Sequence, residues 1–361
     1  MARPALDAGL ALPSTTARPE GRGSPILTYV LRRILMMVPV ILGVFVVAFL
    51  LARVIPANPA LMVVGLQSTA SEVHAEELAL GLNLPLWLQM WHFLLAALHG
   101  NFGLSIVTGQ PVLTDLAQRF PATVELTMAS VLIAVAVALP LGILSALYKD
   151  SWIDWLAHVI SLTGVSMPLF WLGLLLIMVF YSALHVVPAP LGDLGVLYTQ
   201  PPPITHVLVL DALLEGRWAV FWSALRHLIL PALALSTGTI AVLTRMLRAS
   251  MLDVMRHDYI RTARAKGASA WHVYMVHTLR NALVPVVTIF GLQLGYLLGG
   301  AVLVETVFNW PGVGSYVTSA ILASDYAPVE VFALLSAVLY SVINLCVDVV
   351  NAAIDPRITY F

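Results

Sequence analysis

The sequence predicts an all-α, polytopic membrane protein. Of its 361 residues, 60% are hydrophobic and 10% are charged, whereas soluble globular proteins are about 45–50% apolar and about 25% charged. The mean hydropathy is +0.92, and the apolar residues are concentrated in long runs separated by polar, proline-containing stretches. A bilayer core offers no water to backbone N–H and C=O groups, so runs of about 20 apolar residues predict membrane-spanning helices.

The first such run follows a tail, residues 1–27, that mixes Ala, Pro, Gly, Ser and Arg without periodicity and is expected to be disordered. The run from Ile34 to Leu51 is 18 residues long. At about 1.5 Å per residue it reaches ~27 Å, close to the ~30 Å hydrocarbon core. It is longer than the roughly 7–15 apolar residues of a signal peptide, so we expect a first transmembrane helix.

Residues 28–120 are expected to comprise this helix and an extramembrane segment. The segment, from Arg53 to Phe120, is polar and interrupted by Pro and Gly. The apolar stretch Leu86–Leu98 within it has only thirteen residues. It is too short to span, and we expect it to lie at the membrane interface with Trp87 and Trp91 at headgroup level.

Residues 121–354 are expected to form a membrane core with five further spans. These are predicted at about 122–148, 156–184, 228–247, 282–304 and 331–354. A second extramembrane segment, 186–223, separates the third and fourth spans and contains the helix-breaking sequence Gln200–Pro203. Residues 355–361 form a short tail.

Positive charge predicts the orientation. Six spans place both termini on one side, and fourteen of the eighteen Lys and Arg residues lie on that side. They are Arg3, Arg18, Arg22, Arg32, Arg33, Lys149, Arg245, Arg248, Arg256, Arg261, Arg264, Lys266, Arg280 and Arg357. The positive-inside rule therefore predicts cytoplasmic termini, and extracytoplasmic segments after the first and third helices.

The loop at 248–281 is the strongest polar interruption, and the stretch from Arg245 to Pro285 holds seven of the Lys and Arg residues. From Asp258 to Ser269, cations alternate with small side chains that permit close approach to a partner's groove. Gly267 is predicted to end a short helix, and Ser269 to cap the next one. The alternative is a solvated basic loop that only follows the positive-inside rule.

Patterns for catalysis and nucleotide binding are absent from the sequence. There is no G-x-x-x-x-G-K-[ST], H-E-x-x-H or G-x-S-x-G. The single cysteine, Cys346, permits no internal disulfide or cysteine-based metal cage and is expected to be a small buried hydrophobe. We therefore expect a non-catalytic chain without a cofactor or metal of its own, and the net charge of −1 argues against a nucleic-acid partner.

Polar groups inside the spans are few. Glu125, Glu305 and Asp348 are predicted near the bilayer faces, where pairing or snorkelling is favoured over ion coupling. Candidates for lining a pathway are Ser166, Ser236, Thr237, Thr239, Thr288, Gln293, Ser341 and Asn344. Isolated Ser and Thr in membrane helices also bond to their own backbone, which is the alternative.

Glycines at positions 291, 295 and 299 recur every four residues, so they share one helix face and predict close helix packing. The neighbour is either a helix of the same chain or one of a second membrane subunit.

Eight sequence blocks follow one another along the chain. They are "YVLRRILMMVPVILGV", "LPLWLQM…GNFGLSIVTGQPV", "RFPATVELTMAS", "SMPLFWLGLLL", "LRHLILPALAL", "DYIRTARAKGAS…HTLRNALVPV", "GGAVLVETVFNWPGVGSYV" and "INLCVDVVNAAIDPRI". In this order they resemble the inner-membrane permease subunits of binding-protein-dependent ABC importers, in the dipeptide, oligopeptide and nickel branch. The resemblance covers nearly the whole chain after residue 27 and implies the six-helix fold of type I ABC importers.

The resemblance implies that the cytoplasmic loop carries a coupling helix that docks on an ATPase subunit. Aligned on Gly267, the family's EAA-type motif falls on Arg261, Thr262 and Ala263, of which only Ala263 matches, and the closing proline, Pro285, is displaced. The implied ATPase-coupling residues are Asp258, Tyr259, Ile260, Arg261, Thr262, Ala263, Arg264, Ala265, Lys266, Gly267, Ala268 and Ser269.

The resemblance also implies the rest of the complex. It would contain a homologous second permease, two cytoplasmic ATPases that bind ATP and Mg, and an extracytoplasmic substrate-binding protein, in the cell inner membrane. The expected cargo is di- or oligopeptides, with nickel, glutathione or another solute as alternatives. An ion-coupled secondary transporter is a remote alternative, and an intramembrane enzyme is disfavoured because the catalytic patterns are absent.

Overall fold

The computed structural model describes residues 25–54, 59–65 and 67–354. Within these residues the regular structure is helical and contains no β-strand, as predicted. The helices are α1 (Pro25–Val54), α2 (Pro59–Val64), α3 (Ala70–Ala79), α4 (Leu86–Leu98), α5 (Val112–Leu147), α6 (Trp152–Ser166), α7 (Leu169–Leu176), α8 (Leu208–Leu214), α9 (Trp218–Val254), α10 (Asp258–Ala265), α11 (Arg280–Phe308), α12 (Val313–Leu322) and α13 (Tyr326–Ile354). Two π-helical segments, Ile177–Ala183 and His272–Leu279, continue α7 and lead into α11.

Both predicted tails fall largely outside the described residues. The first helix begins at Pro25, within the predicted tail 1–27, and the rest of that tail is not among the described residues. The predicted tail 355–361 lies outside them as well.

Five helices of the described chain are long and apolar enough to cross a membrane. They cover Leu31–Arg53, Val112–Leu147, Trp218–Val254, His272–Phe308 and Tyr326–Val350. Five of the predicted spans fall inside these helices, and no predicted end lies more than a few residues beyond the corresponding helix end. The helices extend beyond most of the predicted ends because backbone hydrogen bonding continues into the polar residues that flank each apolar run.

The third predicted span, 156–184, is not one continuous helix. It consists of α6 and α7 with its π-helical continuation, and the two arms are bent by 113°. Pro168 has no N–H for the carbonyl of Gly164, and a residue before proline avoids the α region. Met167 accordingly has extended backbone angles, φ −88° and ψ 131°, and the prediction of an unbroken helix was wrong.

The two arms of the bent pair contact opposite ends of α9. Asp154 at the start of α6 bonds to Arg248, in the C-terminal part of α9. Tyr181, in the π-helical segment, lines a small cavity together with Arg226 near the N-terminus of α9. The bent pair therefore covers nearly the same length as α9.

The centre of the helical bundle is α9. Within its apolar window 67% of the residues are buried, against 11% for α1 and 6% for α13. Small residues allow neighbouring helices to approach it: Gly142 on α5 lies against Leu247, and Gly164 on α6 against Thr237. Thus α5, α6 and α11 surround α9, while α1 and α13 form an outer pair.

Arg53 connects α4 to this outer pair. Its guanidinium donates to Glu330 on α13 at 2.6 Å and to Gln89 on α4 at 3.2 Å. It also lies 4.5 Å from the ring centroid of Phe49 and 4.9 Å from that of Tyr326. Thus α4 is held against the ends of α1 and α13.

The predicted interfacial stretch forms α4 with the predicted bounds. Trp87 and Trp91 are exposed on its surface. This exposure is what a helix at the membrane interface requires.

Candidate coupling site

The short helix α10 is polar on nearly all its surface. The buried residue of this helix is Ile260, whose side chain is fully enclosed. It packs in a cluster that includes Met251 and Val254 from the end of α9, and Val273 from the segment leading into α11. The helix is thus attached to the bundle mainly through Ile260, and half-buried Ala263 packs against the same cluster.

Most of the other side chains of α10 face outward. The exposed ones are Asp258, Tyr259, Arg261, Thr262, Arg264 and Ala265, and they are followed by exposed Lys266. The twelve residues predicted to couple to an ATPase thus include a continuous exposed polar surface.

Gly267 ends α10 in the predicted way. Its φ is +82°, a left-handed conformation that favours glycine. The N–H of Ala268 donates to the carbonyl of Ala263 at 3.2 Å, and that of Gly267 to Arg264 at 3.0 Å. This pair of bonds is a Schellman motif, which satisfies the last carbonyls of the helix.

The next helical segment begins as predicted at Ser269. The Ser269 hydroxyl accepts a 3.3 Å hydrogen bond from the N–H of His272, as an N-cap does. Helix then continues through the π-helical turn into α11, so residues 270–285 are the lead into the fifth predicted span.

Of the seven cations predicted in this loop, six are exposed. They are Arg245, Arg256, Arg261, Arg264, Lys266 and Arg280. Arg248 instead forms a bidentate ion pair with Asp154, a contact that the sequence analysis did not predict. The exposed cations give this end of the bundle a positive surface, which complements an acidic partner.

The three predicted carboxylates within the spans all have partners. Glu305 is fully buried and accepts hydrogen bonds from the Thr123 hydroxyl at 2.6 Å and the Ser315 N–H at 3.0 Å. Glu125 accepts from the N–H of Val209 at 2.8 Å, and Asp348 forms an ion pair with Arg33 at 2.7 Å. Pairing of this kind accounts for carboxylates at these depths without ion coupling.

The glycine face on α11 is divided between two environments. A Cβ on Gly291 would overlap Val347, and one on Gly295 would overlap Tyr340, both on α13. Gly299 has open space around it and is exposed. Two of the three predicted packing glycines therefore contact a helix of the same chain.

The eight predicted pathway residues do not line one surface. Ser236, Thr239 and Ser341 are buried, whereas Ser166 and Thr288 are exposed; Thr237, Gln293 and Asn344 are half-buried. The hydroxyls of Ser236 and Thr237 donate to the carbonyl of Leu233, and that of Thr288 to Val284. This backbone bonding is the alternative that the sequence left open.

One face of α11 is exposed along most of the helix. Its exposed residues are Thr288, Leu292, Tyr296, Gly299, Leu303 and Thr306. Of this set, only Thr288 and Gly299 are distinguished by the sequence, because Leu and Tyr inside an apolar run carry no signal of exposure.

Cys346 on α13 is exposed rather than buried. The expectation of a buried position was wrong, because an apolar side chain on a membrane helix is stable facing lipid as well as protein.

Two family models together match most of the chain. The first, described as "Binding-protein-dependent transport system inner membrane component", matches residues 138–360. The second, which describes the N-terminal part of such membrane components, matches residues 26–127.

Curated relatives match over nearly the whole chain. A probable D,D-dipeptide transport system permease protein of Escherichia coli (strain K12) is 43% identical over 322 residues, 89% of this chain and 94% of the relative. A di/tripeptide transport system permease protein of Pseudomonas aeruginosa (strain UCBPP-PA14) is 43% identical over 335 residues, 92% and 99% of the two chains. A glutathione transport system permease protein of Escherichia coli (strain K12) is 39% identical over 334 residues, again 92% and 99%.

Proposed function

Because the chain belongs to the family of inner membrane components of binding-protein-dependent transport systems, we propose that it is the permease subunit of an ATP-driven importer of short peptides. The observation that carries this proposal is α10, a basic helix anchored by the buried Ile260, with most of its other side chains exposed. A helix with this surface suits docking on a separate energy-supplying protein. Relatives named for D,D-dipeptides, di/tripeptides and glutathione support a peptide cargo.

We propose six membrane crossings, with the bent pair of α6 and α7 counted as one. The contacts of this pair at both ends of α9 support that count. The charge distribution supports cytoplasmic termini and a cytoplasmic α10. In this topology, the predicted extramembrane segments 53–120 and 186–223 are on the extracytoplasmic side.

The ATPase subunits would dock on α10 from the cytoplasm. Their ATP and Mg would be bound by the partners themselves, since this chain has no phosphate-binding loop. The exposed cations around α10 favour a partner with acidic groups at the rim of its groove. ATP binding would stabilise one arrangement of the two ATPases and so select one conformation of the permease.

A second permease would pack against the open face of α11. This face is exposed along most of the helix and includes Tyr296 and the small residue Gly299. Small residues in membrane helices permit the close backbone approach that an interface needs. The peptide pathway would run beside this interface, where the exposed predicted residues Ser166 and Thr288 lie.

The extracytoplasmic substrate-binding protein would contact the segment 186–217. Its tip exposes apolar side chains, with Val196 84% and Leu197 92% exposed. Exposed apolar residues rimmed by polar ones are typical of a protein interface.

The test is purification of the complex from its native membrane, followed by reconstitution in vesicles. We expect an ATPase subunit and a second permease to co-purify, and the binding protein with dipeptides to stimulate ATP hydrolysis and dipeptide uptake. Parallel assays with glutathione and nickel distinguish the cargo alternatives. Uptake that follows a proton gradient in a preparation without ATPase subunits would show an ion-coupled carrier instead.

A further inference from the structure

The ion pair between Arg248 and Asp154 joins α9 to the start of α6. The Arg248 Nε lies 2.6 Å from Oδ1 of Asp154 and Nη2 lies 2.7 Å from Oδ2. The two side chains are 19% and 5% exposed. The Ser145 hydroxyl donates to Oδ1 at 2.5 Å and the Asp150 N–H to Oδ2 at 3.0 Å. Because each carboxylate oxygen accepts two bonds, its orientation is fixed and the pair is bidentate.

Apart from this ion pair, α6 contacts α9 through small residues. Its buried residues are Asp154, Ala157 and Ser161, and a Cβ on Gly164 would come within 2.8 Å of the Thr237 carbonyl. These four positions repeat at helical spacing and form one stripe. The close approach makes α6 follow α9, and the ion pair fixes the end of α6 to it.

The other end of α6 is a break in the helix. Met167 is extended, and Pro168 cannot donate a hydrogen bond back to α6. The 113° bend at this break separates α6 from α7. Hinges are places where a few residues at the end of an element absorb a change of φ and ψ.

The C-terminal end of α9 leads directly to α10. Only residues 255–257 separate the two helices, and Ile260 packs in the same cluster as Met251 and Val254. A displacement of α10 therefore moves the part of α9 that carries Arg248.

We propose that Arg248 and Asp154 are positioning residues for transport, and that their ion pair transmits displacement of the coupling helix to the broken span formed by α6 and α7. This proposal rests on the proposed function, because an ATPase partner must supply the displacement. When the ion pair is broken, ATP hydrolysis should continue, but it should no longer drive movement of the broken span.

The experiment uses the complete complex in vesicles and measures dipeptide uptake and ATP hydrolysis in the same preparation. In Arg248→Ala we expect the uptake per ATP hydrolysed to fall by about 5- to 150-fold, the usual range of coupling between sites. Asp154→Asn should behave similarly. Reversal of both charges, Arg248→Asp with Asp154→Arg, should restore part of the ratio. Lys149→Ala, which changes an exposed cation in the same turn, is the matched control and should keep the wild-type ratio.

A wild-type ratio in both Arg248→Ala and Asp154→Asn would overturn the proposal. It would also fail if uptake and hydrolysis fell together, in proportion to the amount of assembled complex, since that result indicates a purely structural role. Where Arg248→Ala does not assemble, Arg248→Lys, which keeps the charge and loses the bidentate geometry, is judged by the same ratio. A wild-type complex without peptide-stimulated hydrolysis would instead contradict the proposed function.

Discussion

The hydroxyl of Thr123 on α5 donates a 2.6 Å hydrogen bond to the buried carboxylate of Glu305 on α11. The same hydroxyl oxygen accepts a 2.8 Å bond from the N–H of Val313, at the start of α12. One side chain of α5 therefore connects this helix to α11 and to the start of α12, through contacts 182 and 190 positions further along the chain.

Replacing Glu305 with alanine should destabilise the protein. The Thr123 hydroxyl and the Ser315 N–H would lose their acceptor in a buried site, and an unsatisfied buried group costs about 1–3 kcal/mol. Thermal unfolding of the purified chain in detergent measures the effect. Thr306→Ala, an exposed position one residue along the same helix, is the control, and equal melting temperatures for the two variants would contradict the prediction.

Removing Arg53 should be more costly. Glu330 is almost fully buried, and removing one partner of a buried ion pair costs about 3–5 kcal/mol. We expect Arg53→Ala to lower the melting temperature strongly and to increase proteolysis within residues 59–104, because Gln89 loses its anchor. The double variant Arg53→Met with Glu330→Met should recover most of the stability.

For comparison, Arg217→Ala removes an exposed arginine whose closest carboxylate oxygen lies 4.0 Å away. It should change the melting temperature little. If Arg53→Ala resembled it, the ion pair would not be what holds α4 in place.

The left-handed conformation of Gly267 should determine the effect of substitution by residues of moderate size. The space around it is open, so a side chain meets no clash, but a left-handed φ costs a β-branched residue roughly 1–2 kcal/mol. Gly267→Val should reduce co-purification of the ATPase subunit, and Gly267→Asn should preserve it, since asparagine tolerates this conformation. The measurement is the ratio of ATPase to permease after purification.

A large residue in that place gives a further test. Gly267→Trp should remain inserted in the membrane and yet disrupt docking of the ATPase. Normal peptide uptake by this variant would count against a coupling role for α10.

Two glycines of α11 should respond differently to the same substitution. Gly295→Leu should destabilise the isolated chain, because its side chain would overlap Tyr340 on α13. Gly299→Leu should leave the isolated chain stable and weaken association with a second permease. Thermal unfolding and co-purification separate the two effects, and full co-purification of Gly299→Leu would place the interface elsewhere.

Stability should also depend on the ionisation of Asp325, which precedes α13. Burial raises the pKa of this carboxyl above its usual value; hydrogen bonds from Ser105 and Val107 oppose the shift, and the negative charge of Asp115 adds to it. A group with a raised folded-state pKa contributes stability that is fully present below the unfolded pKa and is lost as pH rises through the folded pKa.

Asp325→Asn removes this titration. The difference in melting temperature between variant and wild type should favour the variant increasingly as pH rises from about 4, near the ordinary pKa of aspartate. A difference that stays constant with pH would show that Asp325 is not the titrating group.

Local signals in the sequence predicted the boundaries of α10 well. Gly267 ends α10 and Ser269 caps the next helix through bonds within a few residues of each. Both roles can therefore be predicted from the adjacent sequence. The apolar runs likewise predicted the long helices, since length and hydropathy decide membrane crossing.

Contacts between distant residues were not predictable in this way. Arg248 and Asp154 are 94 positions apart, and nothing in either local sequence distinguishes a paired arginine from a solvated one. The bend at Pro168 was missed for a related reason, because Pro140, Pro231 and Pro285 lie inside continuous helices. A proline breaks a helix only where tertiary packing does not keep the two flanking helical segments collinear.

The burial of Ile260 at one position of α10 divides the helix between two selective pressures. Folding constrains the buried position, whereas the seven exposed positions from Asp258 to Lys266 can change without loss of the membrane domain. With the docking role proposed for α10, substitutions on this exposed surface would change which ATPase the permease binds. Exchange of that surface between two such permeases would move partner choice from one transporter to another while each keeps its own cargo.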